Sequence, residues 1–256
     1  LSPGSLTAGD YPPDVTYKSC VADARGNRSA FLLFSNPNGK MQVAHNVQKA
    51  LTARHVLADK LNWVIEPPVI TGCFHGISWA LFHLNYPLSD GRIRWVLQRN
   101  LLAPAILNWL TASLQKSRKT LPERKMFAFL NEPVKAMVND GDFSTDIRRC
   151  AADALDSLAS GLWHPSFCLS HNDLWKGNIM VPSGLTTTAT GKFHPGRGFR
   201  IIDWEGSSVD GVPFFDLMTF CRSFQVPRYY TRRVILSPCR ILGCTMTDAR
   251  FYLIAS

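Results

Sequence analysis

The segment between Leu169 and Leu217 constrains this chain more than any other feature. It opens as LSHNDLWKGNIMVPSG, which sets out His171-x-Asp173-x-x-x-x-Asn178, and continues after a loop as FRIIDWEGSSVDGVPFFDL. The second run is an apolar strand pattern ending in Ile202-Asp203-Trp204-Glu205, with Asp216-Leu217 further on. Taken singly, an Asp in a loop or an Asn after a Gly is ordinary turn chemistry, because a short polar side chain bonds its own neighbouring backbone. Taken together, the order of loop, apolar strand ending on a carboxylate, and a further Pro-x-x-Asp-Leu is hard to reach by chance. It asks for a scaffold that holds one loop and one strand end rigidly.

The rest of the chain can supply such a scaffold. With 256 residues, 46% of them hydrophobic, it can bury a sizeable core, either as one large domain or as two lobes sharing a cleft. A net charge of +9 fits an anionic partner such as a nucleotide, a nucleic acid or a membrane surface, and charge alone does not choose among them. The cysteines Cys20, Cys73, Cys150, Cys168, Cys221, Cys239 and Cys244 are scattered, without a Cys-x-x-Cys pair, and read as buried reduced thiols. No uninterrupted apolar run reaches the ~18 residues of a membrane span, and the opening residues lack the pattern of a secretion signal, so a cytoplasmic protein without membrane attachment is expected. Leu1 in place of an initiator Met leaves room for a longer parent chain.

Pro, Gly and Ser make residues 1–17 an irregular entry. Two extended runs then flank the turn signal Arg25-Gly26-Asn27-Arg28, and FLLFSNPNGKMQVAHNV repeats the pattern around Asn36-Pro37-Asn38-Gly39, predicting three antiparallel strands in a row. LTARHVLADKL has helical spacing, and VITGCF and ISWALFHLNY are again extended. Beyond Asn85-Tyr86-Pro87 the pattern becomes helical, in LLAPAILNWLTASLQKS and in the Ser144-capped STDIRRCAADALDSLAS with Ile147, Ala151, Leu155 and Leu158 on one face. Between Gly184 and Gly191, four threonines read as a polar hairpin-like loop without chemistry.

The two quoted segments resemble the kinase-like phosphotransferases of the aminoglycoside phosphotransferase and choline kinase family. The resemblance implies a two-lobed α+β protein-kinase-like fold: an N-lobe over residues 15–87, a small antiparallel β-sheet with one helix, and a mainly helical C-lobe over residues 88–256. It implies ATP or GTP in the cleft, with Leu84-Asn85-Tyr86 as a hinge offering backbone groups of Asn85 and Tyr86 to the base. By the same resemblance Asp173 orients the acceptor hydroxyl and takes its proton, His171 braces the catalytic loop, and Asn178 and Asp203 hold Mg2+. Phosphoryl transfer asks little covalent chemistry of a protein, so a positioning carboxylate beside metal-holding oxygens is the set it requires. Asp216 would open a helix that steadies the loop through backbone hydrogen bonds, while Glu205 reads either as a group near the metal or as a solvated residue.

The family holds the nucleotide phosphates with a Lys on the third strand paired to a Glu on the next helix. Here His45 falls at the Lys position of the expected strand Met41–Val47, and His55, with Asp59 one turn on, falls where the acid belongs. Arg25 and Arg28 in the first turn suit phosphate geometry, and equally suit a solvated turn. Two readings follow. One is a small-molecule kinase whose acceptor is neutral or anionic, since CRSFQVPRYYTRRVILSPCR carries five arginines and no acid. The other is a catalytically impaired, pseudokinase-like nucleotide-binding or scaffolding protein. A nucleic-acid partner is not expected, because no basic, aromatic-interleaved motif is present.

Overall fold

The computed structural model describes residues 16–182 and 198–255. Within them the chain forms two compact units, one from residues up to 98 together with 177–205, the other from 99 to 176 and from Gly206 onward. The irregular entry up to residue 15 and the threonine-rich loop predicted between Gly184 and Gly191 lie outside the described residues. The fold class is α+β, with an antiparallel sheet in the first part of the chain and mainly helix in the remainder.

In the first unit, β1 (Thr16–Ala22) and β2 (Arg28–Ser35) form the hairpin read from the sequence around the Asp23–Asn27 turn. Asp23 closes that turn by accepting from the backbone N–H groups of Arg25 and Asn27, both at 2.9 Å. β3 (Ile70–Phe74) and β4 (Ile77–His83) complete a four-stranded sheet in the order β1-β2-β4-β3. A second, three-stranded sheet runs β5 (Asn85–Pro87), β7 (Ile179–Pro182), β8 (Arg200–Ile201).

The third strand expected at Met41–Val47 is absent. Gln42–Leu61 is instead helix α1, interrupted at Ala58, and His45 sits in its first turn with its side chain exposed. The reason lies outside the local sequence. A helix start leaves backbone N–H groups without partners, and Met41 brings no side-chain cap. The donors are met by hydroxyls of the sheet: Ser35 Oγ accepts from the Val43 N–H at 3.1 Å, and Ser78 Oγ from the Ala44 N–H at 3.2 Å. The two serines bond each other at 2.7 Å, and Ser78 donates to the Lys40 carbonyl at 2.8 Å. With its first turn satisfied, α1 buries Val43, Ala53 and Leu57, a spacing that alternation along MQVAHNV obscures.

The second unit packs α3 (Glu123–Asn139) on α4 (Thr145–Ala159), and α4 on α7 (Met246–Ile254). α4 begins at the predicted Ser144 cap, whose Oγ accepts from the Ile147 N–H at 3.4 Å. Of the expected face Ala151 and Leu158 are buried, joined by Ala154 on the same i, i+3, i+4 stripe, while Ile147 in the first turn is exposed. Trp163, Phe167, Phe220, Phe224 and Tyr252 fill the core of this unit. The helix α2 (Arg92–Ser117) contains the predicted LLAPAILNWLTASLQKS, with Pro104 inside it. Of the cysteines expected to be buried, Cys168, Cys221 and Cys239 are, whereas Cys20 and Cys73 stand exposed on the outer strands β1 and β3. No helix among the described residues is long and apolar enough to cross a membrane.

Candidate active site

The loop that carries Asp173 leaves strand β6 (Cys168–Ser170), which pairs with β9 (Ser208–Gly211) in the second unit. The two strands approach so closely at Gly211 that a Cβ there would lie 2.2 Å from the Ser170 Cβ. Directly beyond β6, the loop is clamped by Asp216 at the start of α5 (Phe215–Ser223). One carboxylate oxygen, Oδ2, accepts from the His171 N–H at 2.6 Å and the other, Oδ1, from the Asn172 N–H at 2.9 Å. The Ser170 hydroxyl is shared between Asp216 Oδ2 at 3.1 Å and Asn172 Oδ1 at 2.5 Å. Burial pushes the Asp216 carboxyl above the usual carboxylate range, opposed by the His171 side chain and by these donors. Donors face both oxygens, the arrangement suited to the ionised form.

His171 is buried, with 2% of its surface exposed, and its Nδ1 accepts from the Asp173 N–H at 3.3 Å. It therefore shapes the backbone on which Asp173 is mounted. Asn172 adopts a left-handed φ of 65° and donates through Nδ2 to the Gly206 carbonyl at 2.8 Å. The Asp173 side chain is exposed beside these anchored residues. The structural role expected of Asp216, a helix-opening carboxylate that accepts loop N–H groups, is thus the one observed.

Asn178 and Asp203 lie in the first unit, at neighbouring ends of an antiparallel pair. β7 and β8 are paired Ile179 to Ile201, and the Ile202 N–H donates to the Asn178 carbonyl at 3.0 Å, so Asp203 follows one residue past a bond to Asn178. Asn178 is 6% exposed and Asp203 is exposed. Asp203 has a φ of 64°, a left-handed conformation that Asp tolerates better than most residues and that recurs at functional turns. The next residue holds it there: buried Trp204 donates through Nε1 to the Ile201 carbonyl at 2.9 Å.

Sequence reading left the role of Glu205 open and did not single out its partners. Glu205 accepts from Gln42 Nε2 and, at 2.9 Å, from Asn46 Nδ2, both in the first turns of α1. Neutral amides thus tie α1 to the end of the Asp203 turn. Their i,i+4 spacing on a helix was the available signal, but it was masked by reading these residues as a strand. With His45 on the helix, its proposed equivalence to a strand lysine falls. The strand that precedes α1 is β2, whose one cationic residue, Arg28, is at its exposed beginning.

The predicted hinge residues Asn85 and Tyr86 lie on β5, paired with Pro182 and Val181. Asn85 Nδ2 donates to the His83 carbonyl at 3.3 Å and reaches Glu66 Oε2 at 3.5 Å, an oxygen that Arg200 Nε also approaches at 3.1 Å. Among the described residues no three His, Cys, Asp or Glu side chains gather as a metal centre.

No family model matches the chain, and no curated protein matches it. Solved structures do. An aminoglycoside phosphotransferase in complex with GDP and kanamycin is 15% identical over 96% of this chain and 83% of that one, with a TM-score of 0.46. A thermostable mutant of another aminoglycoside phosphotransferase is 13% identical over 93% and 84%, with a TM-score of 0.49. Choline kinase LicA from Streptococcus pneumoniae is 14% identical over 92% and 79%, with a TM-score of 0.48. All three are of the family that the motifs resemble. At this identity and similarity they assign no residue and no activity here.

Proposed function

We propose that this chain is a phosphotransferase that moves the γ-phosphoryl group of ATP or GTP to a hydroxyl of a small molecule. The observation that carries the reading is the preparation of two separate pieces of backbone. In one, Asp216 and His171 fix the loop that presents Asp173; in the other, Asn178 and Asp203 stand at adjacent strand ends with Asp203 held left-handed.

In this reading Asp173 receives the acceptor hydroxyl proton as the acceptor oxygen bonds to the γ-phosphorus and the bond to the nucleoside diphosphate breaks. The oxygens of Asn178 and Asp203 suit Mg2+, which takes hard oxygen donors and needs only one or two protein ligands when nucleotide phosphates supply others. Magnesium, when bound, offsets the charge on those phosphates. Backbone groups of Asn85 and Tyr86 are proposed to meet the base. The acceptor is neutral or anionic in this proposal, because α6 (Arg228–Leu242) carries Arg228, Arg232, Arg233 and Arg240 and no acid, and like charges repel a polycation.

A second reading, a nucleotide-binding protein impaired in turnover, is favoured by one observation. The strand before α1 has no lysine, so the strand-to-helix ion pair that the resemblance implies has no strand cation other than Arg28 at its exposed start.

The test is a melting titration with ATP and GTP, with and without magnesium, run beside an assay of nucleoside diphosphate release over aminoglycosides, amino alcohols, sugars and sugar phosphates. Saturating nucleotide at about 100 times its Kd should add about 2.7 kcal/mol, raising Tm by about 5–10 °C in wild type and Asp173→Asn alike. Turnover should vanish in Asp173→Asn, and Asp203→Ala should lose the magnesium dependence. Magnesium-dependent stabilisation without turnover on any acceptor favours the second reading, and absence of both refutes the two together.

A further inference from the structure

A pocket of about 460 Å3 opens in the second unit between the C-terminal end of α5, the start of α6 and the start of α7. This volume lies within the roughly 300–1,000 Å3 of small-molecule sites. Its apolar lining is Met218, Cys221, Val226, Ile235 and Met246, with Gln225 and Thr231 as the uncharged polar members. Burial pushes the Cys221 thiol up to about 11, so the lining carries no thiolate at neutral pH.

The rim is cationic. Arg222 from α5 and Arg228 and Arg232 from α6 line the same pocket, the last two one helical turn apart on one face. Like charges at this spacing weaken a helix by a few tenths of a kcal/mol. The described residues of α5, α6 and α7 include two carboxylates, and both are engaged: Asp216 holds the catalytic loop, and Asp248 closes the capping box of α7 by accepting from the Thr245 N–H at 2.7 Å. No ion pair or hydrogen bond of the three guanidinium groups occurs among the described residues. Three unpaired guanidinium groups around a mainly apolar lining present a complementary surface for one chemistry, an oxyanion attached to an apolar body, since a guanidinium meets carboxylate or phosphate oxygens through paired, charge-assisted bonds.

We infer that this pocket binds a small organic anion, its carboxylate or phosphate group held by Arg222, Arg228 and Arg232 and its apolar body seated on Met218, Ile235 and Met246. The pocket lies wholly within the second unit, and the inference stands without the phosphotransfer reading.

Binding is measured by calorimetry on the full chain without nucleotide or metal, using benzoate, phenyl phosphate, benzyl alcohol and benzylamine as probes. Benzoate or phenyl phosphate should bind, the tighter of the two naming the head group, while the alcohol and the amine bind at least about tenfold more weakly. The double variant Arg228→Gln/Arg232→Gln should weaken the anion at least about tenfold. The matched control Arg233→Gln/Arg240→Gln removes the same charge from the same helix outside the pocket and should change affinity less than about twofold. Circular dichroism verifies that both variants keep their helix content; if the first does not, Arg222→Gln on α5 replaces it and should weaken the anion at least about threefold. Equal binding of alcohol and anion, no binding of either anion, or equal losses in the two double variants would overturn the inference. Each result is independent of whether the chain turns over a nucleotide.

Discussion

Replacing Asp216 with Asn probes how the loop that carries Asp173 is held. The carboxylate accepts through Oδ2 from His171 N–H and Ser170, and through Oδ1 from Asn172 N–H. An Asn side chain keeps one acceptor oxygen, which can serve His171, but sets an NH2 group against the Asn172 N–H. One charge-assisted bond is lost, and a donor is left facing a donor in a buried place, a cost of about 2 kcal/mol. Part of the desolvation cost of the buried carboxylate is recovered in the neutral variant, which keeps the figure at the low end of the range for such losses. For a chain of this size the change lowers Tm by about 4–8 °C. The local signature is sharper: if the loop opens without global unfolding, 2 kcal/mol speeds amide exchange at residue 172 about thirtyfold, while amides in α4 are unaffected. Hydrogen exchange read by mass spectrometry or NMR, together with a melting curve, reports both quantities. Unchanged protection at Asn172, or a Tm within about 1 °C of wild type, would show that Asp216 does not carry the loop and would refute the reasoning.

Ser78→Ala removes the side-chain acceptor for the Ala44 N–H, while the Lys40 carbonyl keeps the Ser78 backbone N–H at 2.8 Å, so it should cost about 1 kcal/mol, as loss of an N-cap does, although Ser78 lies far from α1 in sequence; urea denaturation measures it, and a loss below about 0.3 kcal/mol would show that α1 needs no such cap. Asp210 is held below the usual carboxylate range by hydrogen bonds from Lys119 and Lys125, both ion pairs at 2.5 Å. A depressed acid stabilises the fold above its unfolded pKa near ~3.9 and loses that contribution as pH falls through the folded value. Asp210→Asn should therefore lower stability at pH 7 by at most about 1 kcal/mol and bring no further loss relative to wild type at pH 2, which paired melts at the two pH values check.

The sequence by itself determined the parts whose signals are local. The β1–β2 hairpin, the strands β3 and β4, the Ser144 cap of α4 and the helical remainder follow from turn residues and periodicity that act within a few residues. The candidate site was legible for a related reason: Asp173, Asn178, Asp203 and Asp216 are marked by spacing along one continuous segment. Tertiary structure decided the rest. Whether Gln42–Val47 is strand or helix turned on two hydroxyls, Ser35 and Ser78, brought to the helix start by the sheet, and the second of these lies more than thirty residues away. That choice moved His45 out of a sheet and gave Glu205 its partners Gln42 and Asn46, contacts spanning 163 and 159 residues. The exposure of Ile147 in the first turn of α4 and of Cys20 and Cys73 was likewise set by neighbours. Periodicity reports that an element has two faces, while only the packed chain decides which face is covered and which polar groups arrive to satisfy a helix end.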